Sequence, residues 1–244
     1  MRMIFNLGDS CYVPRRNYIQ GISDLLFPKI CLICEEPGRD ICAPCRKGIS
    51  SAPSCANVDK VKIEAGAIYT DSTAALVVLA KEENNSSARS MLVELLYAGL
   101  QAAISELDYK SYVLIPMPSS KTANRRRGYV HSVVLTKLLL KRICLDEVHG
   151  RNFYIGDFMD INRKTFDQSQ LNADGRRKNL QGAFEFAQSS ASKKMLMREN
   201  QGLLLVDDVM TTGNTFKEAI RALRIEGFEP AAALCACVSG KRFY

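Results

Sequence analysis

A parallel-sheet α/β fold with a small cysteine-rich module at the N-terminal end is what this sequence predicts, and three observations predict it. Beyond Asp108, short apolar runs closed by turn residues alternate with stretches of helical period, the pattern of a parallel sheet covered by helices on both faces. Four of the nine cysteines, Cys31, Cys34, Cys42 and Cys45, fall within fifteen residues. The apolar run Leu203 to Val206 ends at two adjacent acids and a hydroxyl-rich turn that opens another helical stretch. Sheets of this kind bind ligands beyond the carboxyl ends of their strands, so that last junction is the first candidate for a site.

In chain order, the first thirty residues hold Arg15-Arg16 and an apolar stretch, Ile22 to Phe27, that ends at Pro28 and reads as a lead-in. From Cys31 to about Cys55 the chain is rich in Cys, Pro, Gly and Ser with little periodicity, as in a loop-rich module that needs a staple. The chain therefore divides into a lead-in with the cysteine module, 1–57, and a larger domain, 58–244. In the larger domain Ala67 to Tyr69 reads as extended. Ala88, Met91, Leu92, Leu95, Leu96 and Gly99 then recur at helical steps as one buried face.

Tyr112 to Ile115, closed by Pro116, is a strand, and Ser119 to Gly128 a basic loop. A helix from about Tyr129 carries Val130, Val133, Val134 and Leu138 on its apolar side. The polar stretch Asn162 to Gln181 is too long for an ordinary connection and suits a functional loop. Ala183 to Phe186 alternates like a strand, and Leu203 to Val206 reads as a fully buried one. A helix from Thr215, with Phe216, Ala219, Ile220 and Leu223 on one face, stops at Gly227, and Ala231 to Val238 supplies the last strand.

Composition bounds the function. The 244 residues are 47% apolar, and 33 basic against 26 acidic side chains leave a net charge of +7, compatible with polyanionic ligands but specific to none. No apolar run approaches the ~20 residues of a membrane span, and Asp9 interrupts the start before a signal peptide's apolar stretch is complete. A reducing cytoplasm is the expected setting, where paired thiols suit a metal better than cross-links. There is no Gly-x4-Gly-Lys-Ser/Thr sequence for a P-loop, and the two histidines, His131 and His149, lie in no His-x-Glu setting, so neither is assigned a catalytic part.

Cys31-x2-Cys34 and Cys42-x2-Cys45 are two paired-thiol turns, each able to present two sulfurs to one tetrahedral zinc ion; four thiolates close the shell, so the zinc would be structural. The seven-residue spacer between the pairs is shorter than in common zinc ribbons. Four unrelated thiols and a redox pair at Cys42-Ala43-Pro44-Cys45 are the competing readings. Cys144, Cys235 and Cys237 are expected in the core as small hydrophobes, and Cys11 and Cys55 are unassigned.

The segment Leu203-Leu204-Leu205-Val206-Asp207-Asp208-Val209-Met210-Thr211-Thr212-Gly213-Asn214-Thr215 is the most informative. A helix N-terminus with converging N–H groups favours a phosphate, Gly213 permits close approach, and the two carboxylates suit the vicinal hydroxyls of a ribose. The plain alternative is a strand followed by an ordinary N-capped helix, which needs one Thr or Asp and not this whole run. Upstream, Arg125-Arg126-Arg127-Gly128 stands between a strand end and a helix start, placed for a multiply charged phosphate or simply a solvated basic loop.

The thirteen-residue segment resembles the phosphoribosyl-pyrophosphate (PRPP) motif of type I phosphoribosyltransferases. With Leu26-Phe27-Pro28, the four cysteines, Tyr69, Leu79-Ala80-Lys81, Pro116-Met117-Pro118, Arg127-Gly128-Tyr129 and the polar series Arg163, Thr165, Gln168, Leu171, Arg177, Asn179, Gly182 and Phe184, the whole chain resembles the ComF family of competence-associated, phosphoribosyltransferase-like proteins. Two departures stand out: Tyr129-Val130-His131 replaces the family's usual Phe-Asn-Gln, and Glu82-Glu83-Asn84-Asn85 follows Lys81 where an aromatic residue and a glycine are usual.

The resemblance implies a type I phosphoribosyltransferase fold behind a four-cysteine zinc finger, binding PRPP with Mg²⁺. Asp207, Asp208, Thr211, Thr212, Gly213, Asn214 and Thr215 would form the PRPP site. Lys81, Arg125, Arg126, Arg127, Arg163, Gln168 and Arg177 are the pyrophosphate and flexible-loop candidates. It further implies a part in DNA uptake, with single-stranded DNA or a helicase as partner, or alternatively transfer of ribose 5-phosphate to a nucleobase or other small acceptor.

Overall fold

The computed structural model describes residues 29–50, 54–146, 150–161, 182–186 and 199–239. Helix α1 (Ala43–Ser50) closes the cysteine module. Strands β1 (Ser54–Val58) and β2 (Val61–Ile68) pair antiparallel across Asp59 and Lys60, both at positive φ as a tight primed turn requires. Their pairing carries Ser54–Asn57 into the sheet, so β1 straddles the 57/58 division drawn from composition. Helices α2 (Asp71–Glu82) and α3 (Ser86–Glu106) follow, then β3 (Ser111–Pro116), α4 (Lys121–Arg127), α5 (His131–Leu145) and β4 (Asn152–Ile155). A hairpin of β5 (Met159–Ile161) and β6 (Phe184–Phe186) flanks the polar stretch, and β7 (Gln201–Met210), α6 (Asn214–Ile225) and β8 (Ala232–Val238) complete the chain.

The main sheet has the order β1-β2-β8-β7-β3-β4, with every pairing parallel except that of β1. Alternate residues of each strand feed two cores. One joins Leu114, Leu204 and Leu234 to Leu76, Leu92 and Leu139 of α2, α3 and α5; the other joins Val113, Leu205 and Ala233 to Phe216 and Ile220 of α6 and to Phe184 and Phe186 of the hairpin. Helix α3 packs so close to β2 that a Cβ on Gly66 would stand 2.2 Å from the Leu95 carbonyl oxygen. Helix α5 leaves β3 on one face of the sheet and α6 leaves β7 on the other. The adjacent carboxyl ends of β3 and β7 therefore flank a topological switch point, where open α/β sheets present a crevice.

The parallel sheet covered on both faces stands as expected; several elements differ in detail. The Ser119–Gly128 segment is not all loop. Ser120 accepts the Ala123 N–H and Gly128 ends the turn at φ 77°, so caps make a short helix that has no apolar face of its own. The buried side of α5 is not Val130, Val133, Val134 and Leu138 but His131, Ser132, Leu135, Thr136, Leu139, Leu140 and Ile143. Ser132 and Thr136 tolerate burial because their hydroxyls donate to the carbonyls of Met117 and Ser132. β7 runs on to Met210, so both aspartates lie within the strand, and α6 starts at Asn214. Cys235 and Cys237 are fully buried as expected, but Cys144 is only half-buried and Cys55 is exposed on β1; Cys11 lies outside the described residues.

Candidate functional site

The two aspartates owe their position to a mismatch in strand length. β3 pairs with β7 only as far as Pro116 opposite Val206, where the Met117 N–H still donates to the Val206 carbonyl, whereas β8 follows β7 to Met210 opposite Val238. From Asp207 onward β7 is thus open on its β3 side. The chain then turns through Thr211 and Thr212, both exposed, into Gly213 at φ 72° and α6. Among the described residues no side chain caps this helix, so the threonines do not serve as ordinary N-caps and the first-turn N–H groups stand ready for another acceptor.

Asp208 is buried and Asp207 half-buried. Lys81, from the last turn of α2, donates to Asp208 Oδ2 at 2.7 Å across 127 residues of sequence. Asp207 Oδ1 accepts the Asp208 N–H, and Asp208 Oδ1 accepts that of Val209. Burial opposes both charges. It pushes the Asp207 carboxyl well above its usual range, helped by the neighbouring Asp208 carboxylate. At Asp208 the Lys81 ammonium more than offsets burial and holds the carboxyl below that range. The pair shares its charge unequally: Asp208 is the ionised partner of Lys81, and Asp207 is the reluctant acid. Burial would lower the Lys81 ammonium, but both carboxylates more than offset it.

The arginine-bearing loop comes against the same helix end. The Tyr129 hydroxyl donates to the carbonyls of Ala80 and Lys81, at 3.1 and 3.0 Å, fastening the last turn of α2 beside Gly128. Arg126 and Arg127 both pair with Glu82, whose carboxyl is held below its usual range chiefly by the Arg127 hydrogen bonds; Arg125 stays exposed on α4. His131, the first residue of α5, is 2% exposed, places Nε2 3.7 Å from Asp208 Oδ2, and has neither ring nitrogen hydrogen bonded among the described residues. Burial lowers its pKa to about 4 despite the nearby Asp208 carboxylate.

Of the residues singled out from the sequence, then, Lys81, Arg126, Arg127 and Asp208 fall within one linked set of contacts, continuous along the chain with Asp207 and the 211–215 turn. Arg163, Gln168 and Arg177 lie outside the described residues. Sequence reasoning did not give Glu82, Tyr129 and His131 these parts, although Glu82 and His131 sit at the two departures from the family pattern, which were the available signal.

The four cysteine sulfurs lie within 4.8 Å of one another, with Cys34 and Cys42 Sγ 3.6 Å apart. Four thiolates at ~2.3 Å from one ion stand ~3.8 Å apart in a tetrahedron, so the set could hold a metal such as zinc. Burial would raise the Cys31 thiol, but N–H groups of Cys34, Cys42 and Ile33 more than offset it and hold it at about 6. Cys45 is pushed up to about 12 by the neighbouring thiols of Cys42 and Cys34, a competition that a bound cation relieves by taking all four as thiolates.

The phosphoribosyl transferase domain family matches residues 159–242, the stretch from β5 through β8 that contains both aspartates and the turn. Over 211 residues the chain is 26% identical to competence protein F of Haemophilus influenzae (strain ATCC 51907 / DSM 11121 / KW20 / Rd), covering 78% of this chain and 86% of that protein. The likeness to the ComF family holds. This ComF-like chain thus combines a phosphoribosyltransferase-type α/β domain with a four-cysteine cluster near its N-terminal end. Among its described residues no helix is long and apolar enough to cross a membrane.

The unequal pair gives a test in the ligand-free protein. Asp207→Asn keeps the Oδ1 acceptor for the Asp208 N–H while removing a half-buried acid that competes with Asp208 for the negative charge. It is expected to raise stability at pH 7 by about 1 kcal/mol, some 2–4 °C in a thermal melt. Asp208→Asn leaves Lys81 without its counter-charge and is expected to lower the melting temperature. Equal losses in the two variants would contradict the assignment of Asp208 as the ionised member.

Proposed function

We propose that this ComF-like chain binds PRPP with Mg²⁺ at the carboxyl ends of β3 and β7. Asp207 and Asp208 accept the ribose hydroxyls, and Thr211, Thr212, Gly213, Asn214 and Thr215 wrap the 5-phosphate at the start of α6. Lys81, Arg125, Arg126 and Arg127 serve the pyrophosphate, for which Arg163, Gln168 and Arg177, outside the described residues, are further candidates. The observation that carries this reading is the uncapped N-terminus of α6 directly after an Asp208 that is ion-paired to Lys81: phosphate-binding donors next to hydroxyl-binding acceptors at a switch point. Bound with the ligand, Mg²⁺ neutralises charge on the pyrophosphate. Any transfer from PRPP needs no protein nucleophile, only positioning and stabilisation of the departing pyrophosphate, which suits cations and backbone donors of this kind.

The metal of the four-cysteine site is proposed to be zinc, in a structural role. The lead-in with zinc finger spans 1–57 in this reading and the phosphoribosyltransferase-like domain 58–244, with β1 pairing across the junction. The name of the Haemophilus relative and the net charge of +7 support a part in DNA uptake, with single-stranded DNA or a helicase as partner, and the metal-type spacing of the four clustered cysteines supports a cytoplasmic setting.

The test is thermal unfolding with Mg²⁺-PRPP. At a hundred times Kd the ligand is expected to stabilise the chain by about 2.7 kcal/mol, and the Asp207→Ala/Asp208→Ala variant is expected to show no shift. No shift in the wild type, or an equal shift in the variant, rejects the reading. Pyrophosphate release with candidate nucleobases separates a binding protein from a working transferase.

A further inference from the structure

We propose that Glu82 is a built-in competitor for the anion site: its carboxylate fills the guanidinium fork that a ligand's diphosphate would occupy and must be displaced for binding. The inference rests on the PRPP reading and deepens it by naming a residue that limits affinity there. Glu82 Oε1 accepts Arg127 Nη2 at 2.6 Å and Nε at 3.2 Å, while Oε2 accepts Arg126 Nη2 at 2.7 Å. One carboxylate therefore spans two guanidinium groups with the two-oxygen geometry a phosphate would present to them. The Arg127 side chain is only 9% exposed, so with Glu82 in its fork it offers an incoming anion little free surface.

The surroundings let the carboxylate leave without dismantling the site. Glu82 is the last residue of α2, and its side chain is 36% exposed. The backbone of that turn is held independently, because the Tyr129 hydroxyl donates to the carbonyls of Ala80 and Lys81. Adjacent side chains on one helix end thus neutralise opposite charges in the ligand-free protein: Lys81 covers Asp208, and Glu82 covers the arginines. Freeing the fork costs the same whichever anion takes it, so Glu82 lowers the affinity for every anion that must bridge Arg126 and Arg127.

Glu82 and Arg126 are open to solvent and their pair is individually weak, so relief of the competition is expected to be modest but measurable. The experiment is calorimetric titration of the full chain, as wild type, Glu82→Gln and Glu82→Ala, with inorganic pyrophosphate, orthophosphate and Mg²⁺-PRPP. Both variants are expected to bind pyrophosphate and Mg²⁺-PRPP about fivefold tighter than wild type, and orthophosphate by a similar factor where it bridges the same arginines. Two substitutions of different size, each checked for an unaltered melt, separate loss of the charge from a local packing defect. Unchanged or weaker pyrophosphate binding in both overturns the proposal, because Glu82 would then be orienting the arginines. If Mg²⁺-PRPP binding depends on Asp207 and Asp208 but is not tightened at Glu82, the inference fails and the PRPP reading stands. Tighter pyrophosphate binding without any PRPP binding keeps the competitor and removes the sugar site. No binding of either ligand by any of the three proteins rejects both.

Discussion

Removing the zinc proposed for the four-cysteine site is expected to melt residues 29–50 while the sheet domain stays folded. The module has little else to hold it. Its buried apolar side chains are Cys31, Ile41 and Ile49, and the last two lie on the helix-side core of the larger domain. Asp40, which accepts from Lys29 and from Ser87 of α3, adds one polar tie. Structural zinc contributes roughly 10–16 kcal/mol to folding in isolated zinc-finger peptides at neutral pH, far more than these contacts supply. By contrast, the larger domain buries Leu76, Leu92, Leu114, Leu204 and Leu234 in a core that draws most of its side chains from outside the module. A Cys34→Ser/Cys42→Ser variant, or wild type treated with a chelator, is therefore expected to lose about one equivalent of zinc. Calorimetry should resolve the loss of the module's contribution, and limited proteolysis should cut between Cys31 and Ile49. Freely alkylated thiols in a zinc-free protein with an unchanged melt would show the four sulfurs to be an accidental cluster.

What the sequence makes legible follows from how far each signal reaches along the chain. The buried faces of α3 and α6 are visible because Met91, Leu92, Leu95 and Leu96, and Phe216, Ala219, Ile220 and Leu223, keep helical spacing without interruption. β4 and β5 escape notice because four- and three-residue strands are too short to establish a period. Helix α4 escapes because its stability comes from Ser120 and Gly128 at its ends, with no residue of it buried. Helix α5 is misphased because His131, Ser132 and Thr136, polar by composition, occupy the buried side. The site divides in the same way. The acids and the turn form one contiguous motif, whereas Lys81 on Asp208 and Glu82 on Arg127 join residues 127 and 45 positions apart, which only the fold brings together.

His131 links that misphasing to a pH dependence that the site should display. Its imidazole, 2% exposed, faces the Asp208 carboxylate, which favours the charged ring, and the cations Lys81, Arg127 and Arg89, which oppose it. Burial decides the balance and lowers its pKa from 6.5 to about 4, leaving the ring neutral at physiological pH. Between these two values the unfolded chain binds more protons than the folded one, so the contribution is complete above pH 6.5 and is lost as the pH falls toward 4. Its size is about 3 kcal/mol over that window. Asp207, an acid with a raised pKa, acts in the opposite direction as the pH falls, while the depressed Asp208 carboxyl acts below 3.8. The quantity to measure is therefore the difference in unfolding free energy between wild type and His131→Gln, in which the contributions of unaltered acids largely cancel. Glutamine is what the family usually carries at this place, and it does not titrate. The wild type is expected to lose about 3 kcal/mol relative to the variant between pH 7 and pH 4. A flat difference would mean that the ring takes up its proton in the folded protein as it does in the unfolded chain, and a gain by the wild type as the pH falls would mean that the folded ring is already charged; either result would require the two ring nitrogens, without hydrogen-bond partners among the described residues, to find ones that bring His131 into the ion-paired network of Lys81.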